Sequence, residues 1–172
     1  MCWKGNSKLF SLQVTQEDIP VYKVISYDIR IGNLRAWFGC YLYDEAFKVT
    51  QHSEISFTAT DNGYIEGNRG FHAYEVKPCF YKDGIFADNY VERDIPGTVY
   101  YEGDCGFPLV VKCHIPKGAL YASNGKETIS TAIKFDEIVS VEALDIVAIN
   151  ERTQTIINRY KAIYNHVKTE LL

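Results

Sequence analysis

The residues of this chain best equipped for chemistry are few, and the first of them is Cys2 in the opening stretch MCWKGNS. Removal of Met1 would leave Cys2 with a free α-amino group beside its thiol. Such an amine titrates at about 8, close enough to neutrality to take the thiol proton, and the thiolate is the reactive form. One expectation is therefore an N-terminal-cysteine hydrolase or amidotransferase, with Cys2 as nucleophile and His72 or Glu75 as helpers. The competing expectation is a small apolar residue that tucks the start of the chain onto the fold, with Trp3 as its anchor.

A second cluster is GNRGFHAYE, residues 67–75. Arg69 between two glycines could grip a phosphate or carboxylate through its guanidinium fork, or lie in a solvated turn. Side chains alternate along an extended strand, so His72 and Tyr74 share one face while Phe71, Ala73 and Glu75 share the other. His72 and Glu75 do not form a dyad from this strand alone. A structural zinc site draws converging pairs such as C-x-x-C, and none is present. Cys113 and His114 are adjacent, and a regular strand aims them apart. No metal and no cofactor are expected. GDCGFP and GNRG hold too few glycines and lead into extended segments, which excludes the phosphate-binding loops and the nucleophile elbow.

Positioning any of these groups needs a core, and a globule of 172 residues buries roughly 70% of the surface of its unfolded chain. No apolar run reaches the roughly 18–20 residues of a membrane span, so no membrane partner is expected. The formal net charge of −4 supplies no basic field for duplex nucleic acid. Five cysteines form an odd set without regular spacing, and no basic-then-apolar leader opens the chain, which reads as a reducing, cytoplasmic setting. The composition departs from average in its 13 Tyr, 9 Phe and 2 Trp. Such rings suit half-buried sheet surfaces and contact patches, which favours a strand-rich fold and a recognition surface.

Period-2 patterning places strands at VYKVISYDIRI, RAWFGCYLYD, GFHAYEV, PLVVKCHIPKG and TISTAIKF, with hairpin turns at Asp61-Asn62-Gly63 and Asn124-Gly125. In the first, Val21, Lys23, Ile25 and Tyr27 are expected on the packed face, with Tyr22, Val24 and Ser26 on a wet one. In PLVVKCHIPKG, Leu109, Val111, Cys113 and Ile115 share a face, and Pro116 and Gly118 end the strand. Ile156, Tyr160, Ile163, Tyr164, Val167 and Leu171 recur at helical steps, predicting one amphipathic helix over about 150–171 that packs on the sheet or mediates self-association. The expected fold is a single α+β domain over 1–172, strand-rich over 1–140: a mainly antiparallel, curved sheet or partial barrel with one C-terminal helix.

The start MCWK is similar to the Met-Cys openings of the class II glutamine amidotransferases and of the family that crosslinks to abasic DNA, although Trp3 stands where those have glycine. Taken with VYKV, GFHAYE and VVKCHIPKGALYASNGKETISTAIKFDEIV, it also resembles a group of small bacterial and phage proteins. That resemblance implies origin and carries no established activity. IPKGALY looks like a segment of ADP-ribosyltransferase-like toxins, whose Glu-x-Glu is here reduced to Glu127 alone, so it implies at most a related fold emptied of catalysis. The leading expectation is a binding protein without catalysis, its surface formed by Trp3, Trp37, Tyr41, Arg69, His72 and Tyr74, with a protein or small molecule as partner. The alternatives are the Cys2 enzyme, and a phage structural or accessory protein whose C-terminal helix forms a homo-oligomer contact.

Overall fold

The computed structural model describes residues 3–28, 32–36, 47–77, 79–81, 84–87, 106–139, 158 and 161–171. The expected sites Cys2, Trp37 and Tyr41 and most of RAWFGCYLYD lie outside these residues. The chain divides into two compact units: Met1–Lys23, Glu45–Lys77 and Val111–Glu137 form the first, and Val24–Asp44, Pro78–Val110 and Ile138–Leu172 the second.

Fourteen strands are assigned among the described residues: β1 (Lys4–Asn6), β2 (Gln13–Val14), β3 (Ile19–Asp28), β4 (Asn33–Ala36), β5 (Gln51–His52), β6 (Ser56–Ala59), β7 (Tyr64–Arg69), β8 (Phe71–Tyr74), β9 (Cys79–Tyr81), β10 (Gly84–Ala87), β11 (Gly106–Ile115), β12 (Leu120–Ser123), β13 (Glu127–Ser130) and β14 (Ala132–Val139). One small sheet runs β1-β7-β6, and β9 pairs with β10. The large sheet runs β2-β12-β13-β8-β3-β11-β14-β5, with β4 paired to β3 off that path. Pairings whose register is resolved are antiparallel. The fold is α+β with mainly antiparallel sheets, and the large sheet does not close into a barrel.

In the first unit the hairpin signals act as their chemistry dictates. Asn124-Gly125 joins β12 to β13 with Gly125 at φ 85°, and Asp61-Asn62-Gly63 joins β6 to β7 with Gly63 at φ 80°. The segment expected as one strand, TISTAIKF, is two, because Thr131 donates its amide to the Leu120 carbonyl and the chain then turns into β14, where Ala132 pairs with His52. A core of Trp3, Ala122 and Ile129 sits between the small sheet and β12-β13, with Phe10, Ile55, Phe57 and Ile65 packed round it. Val111, Cys113 and Ile115 are buried as their alternation implies.

The second unit buries Val24, Ile25, Tyr27, Leu34, Leu109, Val110, Ile138 and Val167. Val24 was expected on a wet face and is 8% exposed, since β3 is buried on both sides where Val24 and Ile25 sit. Val110, too, is as buried as Leu109. The C-terminal helix is described over 161–171, its last five residues, Val167–Leu171, widening into a π turn. Val167 is fully buried and the His166 ring meets Tyr27 edge-on at 5.8 Å, while Leu171 is 38% exposed; Ile156, Tyr160 and the expected start of the helix lie outside the described residues. Among the described residues no helix is long and apolar enough to cross a membrane.

Candidate functional site

Trp3 is the hub of the first unit. Its ring meets Phe10 at 6.0 Å and Phe57 at 5.8 Å, both edge-on, and Phe10 meets Phe57 at 4.7 Å. Quadrupoles favour this edge-to-face arrangement. Each polar group of Trp3 has a partner: its amide donates to His72 Nδ1 (3.2 Å), its indole N–H donates to the Glu127 carbonyl (3.1 Å), and its carbonyl accepts from the Gly67 amide (2.9 Å). At 1% exposure the ring is interior, which corrects the expectation that it presents itself to a ligand.

His72 stands on β8 opposite Ile129, two residues before Tyr74, and Tyr74 pairs with both Glu127 and Tyr22. A backbone amide can only donate, so Nδ1 of His72 is the unprotonated acceptor and Nε2 carries the hydrogen. Burial, followed by the nearby Lys23 ammonium, pushes His72 down to about 4. The ring is therefore neutral at physiological pH, and the lone pair a general base would use is already engaged. Lys23 donates to the His72 carbonyl at 2.7 Å, and burial of the ammonium lowers its own pKa. Burial also raises the Cys113 thiol far above its ordinary range, so this cysteine is an inert core residue.

The remaining expected residues are spread apart. Arg69 is exposed and pairs with exposed Glu54 at 3.1 Å, a contact of little energetic weight. The glycines flanking it serve packing: a Cβ on Gly67 would collide with the Ile129 side chain, and one on Gly70, at φ 121°, would come within 2.8 Å of Ile129 and 3.1 Å of the Ser130 carbonyl. Glu75 accepts from the Ser123 hydroxyl, and its amide donates to the Lys126 carbonyl at 2.9 Å. Trp3 and His72 are thus joined by a hydrogen bond, Tyr74 follows His72 on the same face of β8, and Arg69 is paired elsewhere with Glu54.

Two features escaped the sequence. His114 Nδ1 lies 2.8 Å from Asp136, on β14, and its Nε2 lies 3.9 Å from Asp18. Asp136 is 22 residues away in the chain, and only the adjacency of β11 and β14 pairs them. The other was legible in principle, since Leu12 and Val14 alternate with Ser11, Gln13 and Thr15 in a short period-2 run. Val14 is 50% exposed on β2, the last strand of the large sheet, directly opposite Leu120 of β12 at 36%, and Leu12 is 40% exposed. Among the described residues no group of three metal-ligating side chains converges. No family model, no curated protein and no solved structure matches the chain.

Proposed function

We propose that this is a binding protein without catalysis, which engages a polypeptide partner along the β2 edge. The exposed Val14–Leu120 pair at the open end of the large sheet carries the reading. Two of the candidate reactive groups support it, being engaged within the chain: His72 accepts from the Trp3 amide and Glu75 from the Ser123 hydroxyl. An extended segment added to such an edge gains main-chain hydrogen bonds and apolar contacts together. The proposed setting is cytoplasmic, and the proposed origin bacterial or phage, as the resemblance of its motifs implies.

Tagged full-length protein should lose at least about tenfold of its captured partner when Val14→Asp and Leu120→Asp are combined, because two charges then face the docking strand. Equal capture by the wild type and the double variant contradicts the proposal.

The Cys2 enzyme is kept as a second reading for one reason: the amide of the residue that follows Cys2 bonds an imidazole. Preferential iodoacetamide labelling of residue 2 over the other cysteines supports that reading, and retention of Met1 in the intact mass removes it.

A further inference from the structure

The geometry points to a second copy of this chain as the partner of the β2 edge, an inference that rests on the reading of that edge as the binding surface. Thr15 directs its backbone toward β12: its amide donates to the Ala119 carbonyl at 2.9 Å and its carbonyl accepts from the Gly118 amide at 3.0 Å. Backbone groups alternate along an antiparallel strand, so those of Val14, and of Leu12 one step further, face away from β12. The Gln16 side-chain amide donates to the Val14 carbonyl at 3.2 Å, which agrees with this and leaves a contact that an incoming backbone N–H would replace.

Natural edge strands are blunted by charge or proline. Residues 9–16, LFSLQVTQ, contain neither. The segment is also complementary to itself. A two-fold axis at Gln13 sets Val14 of one copy against Leu12 of the other, both with outward backbone groups, and so completes the ladder in both directions. The same axis aligns apolar side chains in a row, Leu120 and Val14 of one copy followed by Leu12 of the other. It also brings the exposed Lys8 end of one segment to the exposed Glu17-Asp18 end of its mate. Charge and apolar pattern therefore select one register and one orientation.

At the axis the two Gln13 residues form a non-hydrogen-bonded pair, whose Cα atoms lie about 4.5 Å apart, within the span of a disulfide. Light scattering and sedimentation equilibrium of the full chain, over a series reaching millimolar, should show a monomer–dimer equilibrium. Val14→Lys should weaken it by at least about tenfold with an unchanged melting temperature. Gln13→Cys should give a disulfide-linked dimer in oxidised glutathione, whereas Lys126→Cys in the exposed turn should not. A wild type that stays monomeric, or a dimer indifferent to Val14→Lys, overturns the inference, as does a Gln13→Cys protein that crosslinks no faster than the control. If Val14→Lys does not fold, the crosslinking comparison decides. A monomer that still captures a different polypeptide through Val14 and Leu120 overturns the self-pairing and leaves the binding function standing; loss of both removes both.

Discussion

Trp3→Ala is expected to lower the unfolding free energy by about 4 kcal/mol, the loss typical of a large buried aromatic truncated to alanine. The change removes the ring on which Phe10 and Phe57 pack and leaves the Glu127 carbonyl without its indole donor. Since small domains have only about 5–15 kcal/mol in total, the variant should sit near the edge of folding. Trp3→Phe keeps a ring between the same neighbours and removes only the indole donor, while the Glu127 carbonyl still accepts from the Asn124 amide at 3.1 Å, so it should cost about 1 kcal/mol. Urea denaturation of the three proteins checks the order; an alanine variant within about 1 kcal/mol of the wild type would show that Trp3 does not organise this core.

Gly70→Ala is the second large effect. The residue sits at φ 121°, where L side chains strain the backbone, and its Cβ would press on Ile129 and the Ser130 carbonyl. Strain and overpacking of about 1–3 kcal/mol each add here, for about 3 kcal/mol in total. Gly118 supplies the control, since its φ is also positive, at 87°, but nothing lies within 4 Å of the added atom. Gly118→Ala should therefore cost only the backbone term, about 1–2 kcal/mol. Equal losses at the two positions, measured by guanidinium denaturation, would contradict the close approach of β7 and β8 to β13.

These two residues also show what the sequence can disclose. The anchor role of Trp3 was one of two open readings of MCWK, and the strand parity of GFHAYE set His72 with Tyr74, which β8 holds in register against Ile129 and Glu127 of β13. The pattern could not disclose what covers each face. GNRG looks like an anion grip because glycines around an arginine suit a phosphate, yet the same glycines let two sheets meet over Ile129. Only the partner strand distinguishes the two causes. For the same reason His114 was read with its neighbours on β11, while the carboxylate that meets it comes from β14. The β2 edge is a further case: a two-residue strand is too short for periodicity to stand out, although its exposed apolar side chains were in the sequence throughout.

His72 couples this arrangement to pH. Its folded pKa of about 4 lies below the roughly 6.5 of an unfolded histidine. Above the unfolded value both states are neutral and the group has no effect on stability. As pH falls below it, the unfolded chain takes a proton that the folded ring refuses, so stability declines and levels off near pH 4. The full decline from this group is up to about 3 kcal/mol, lessened by whatever solvent still screens the ring.

The His72 imidazole is a structural tie whose acceptor nitrogen is occupied by the Trp3 amide. Nitrogen-15 NMR of the His72 ring across a pH titration tests it most directly. The ring is expected to be protonated at Nε2 alone through the neutral range, with a midpoint near 4. A ring protonated at Nδ1, which could not accept from the Trp3 amide, or one that titrates at or above the ordinary histidine range, would show that this tie is absent.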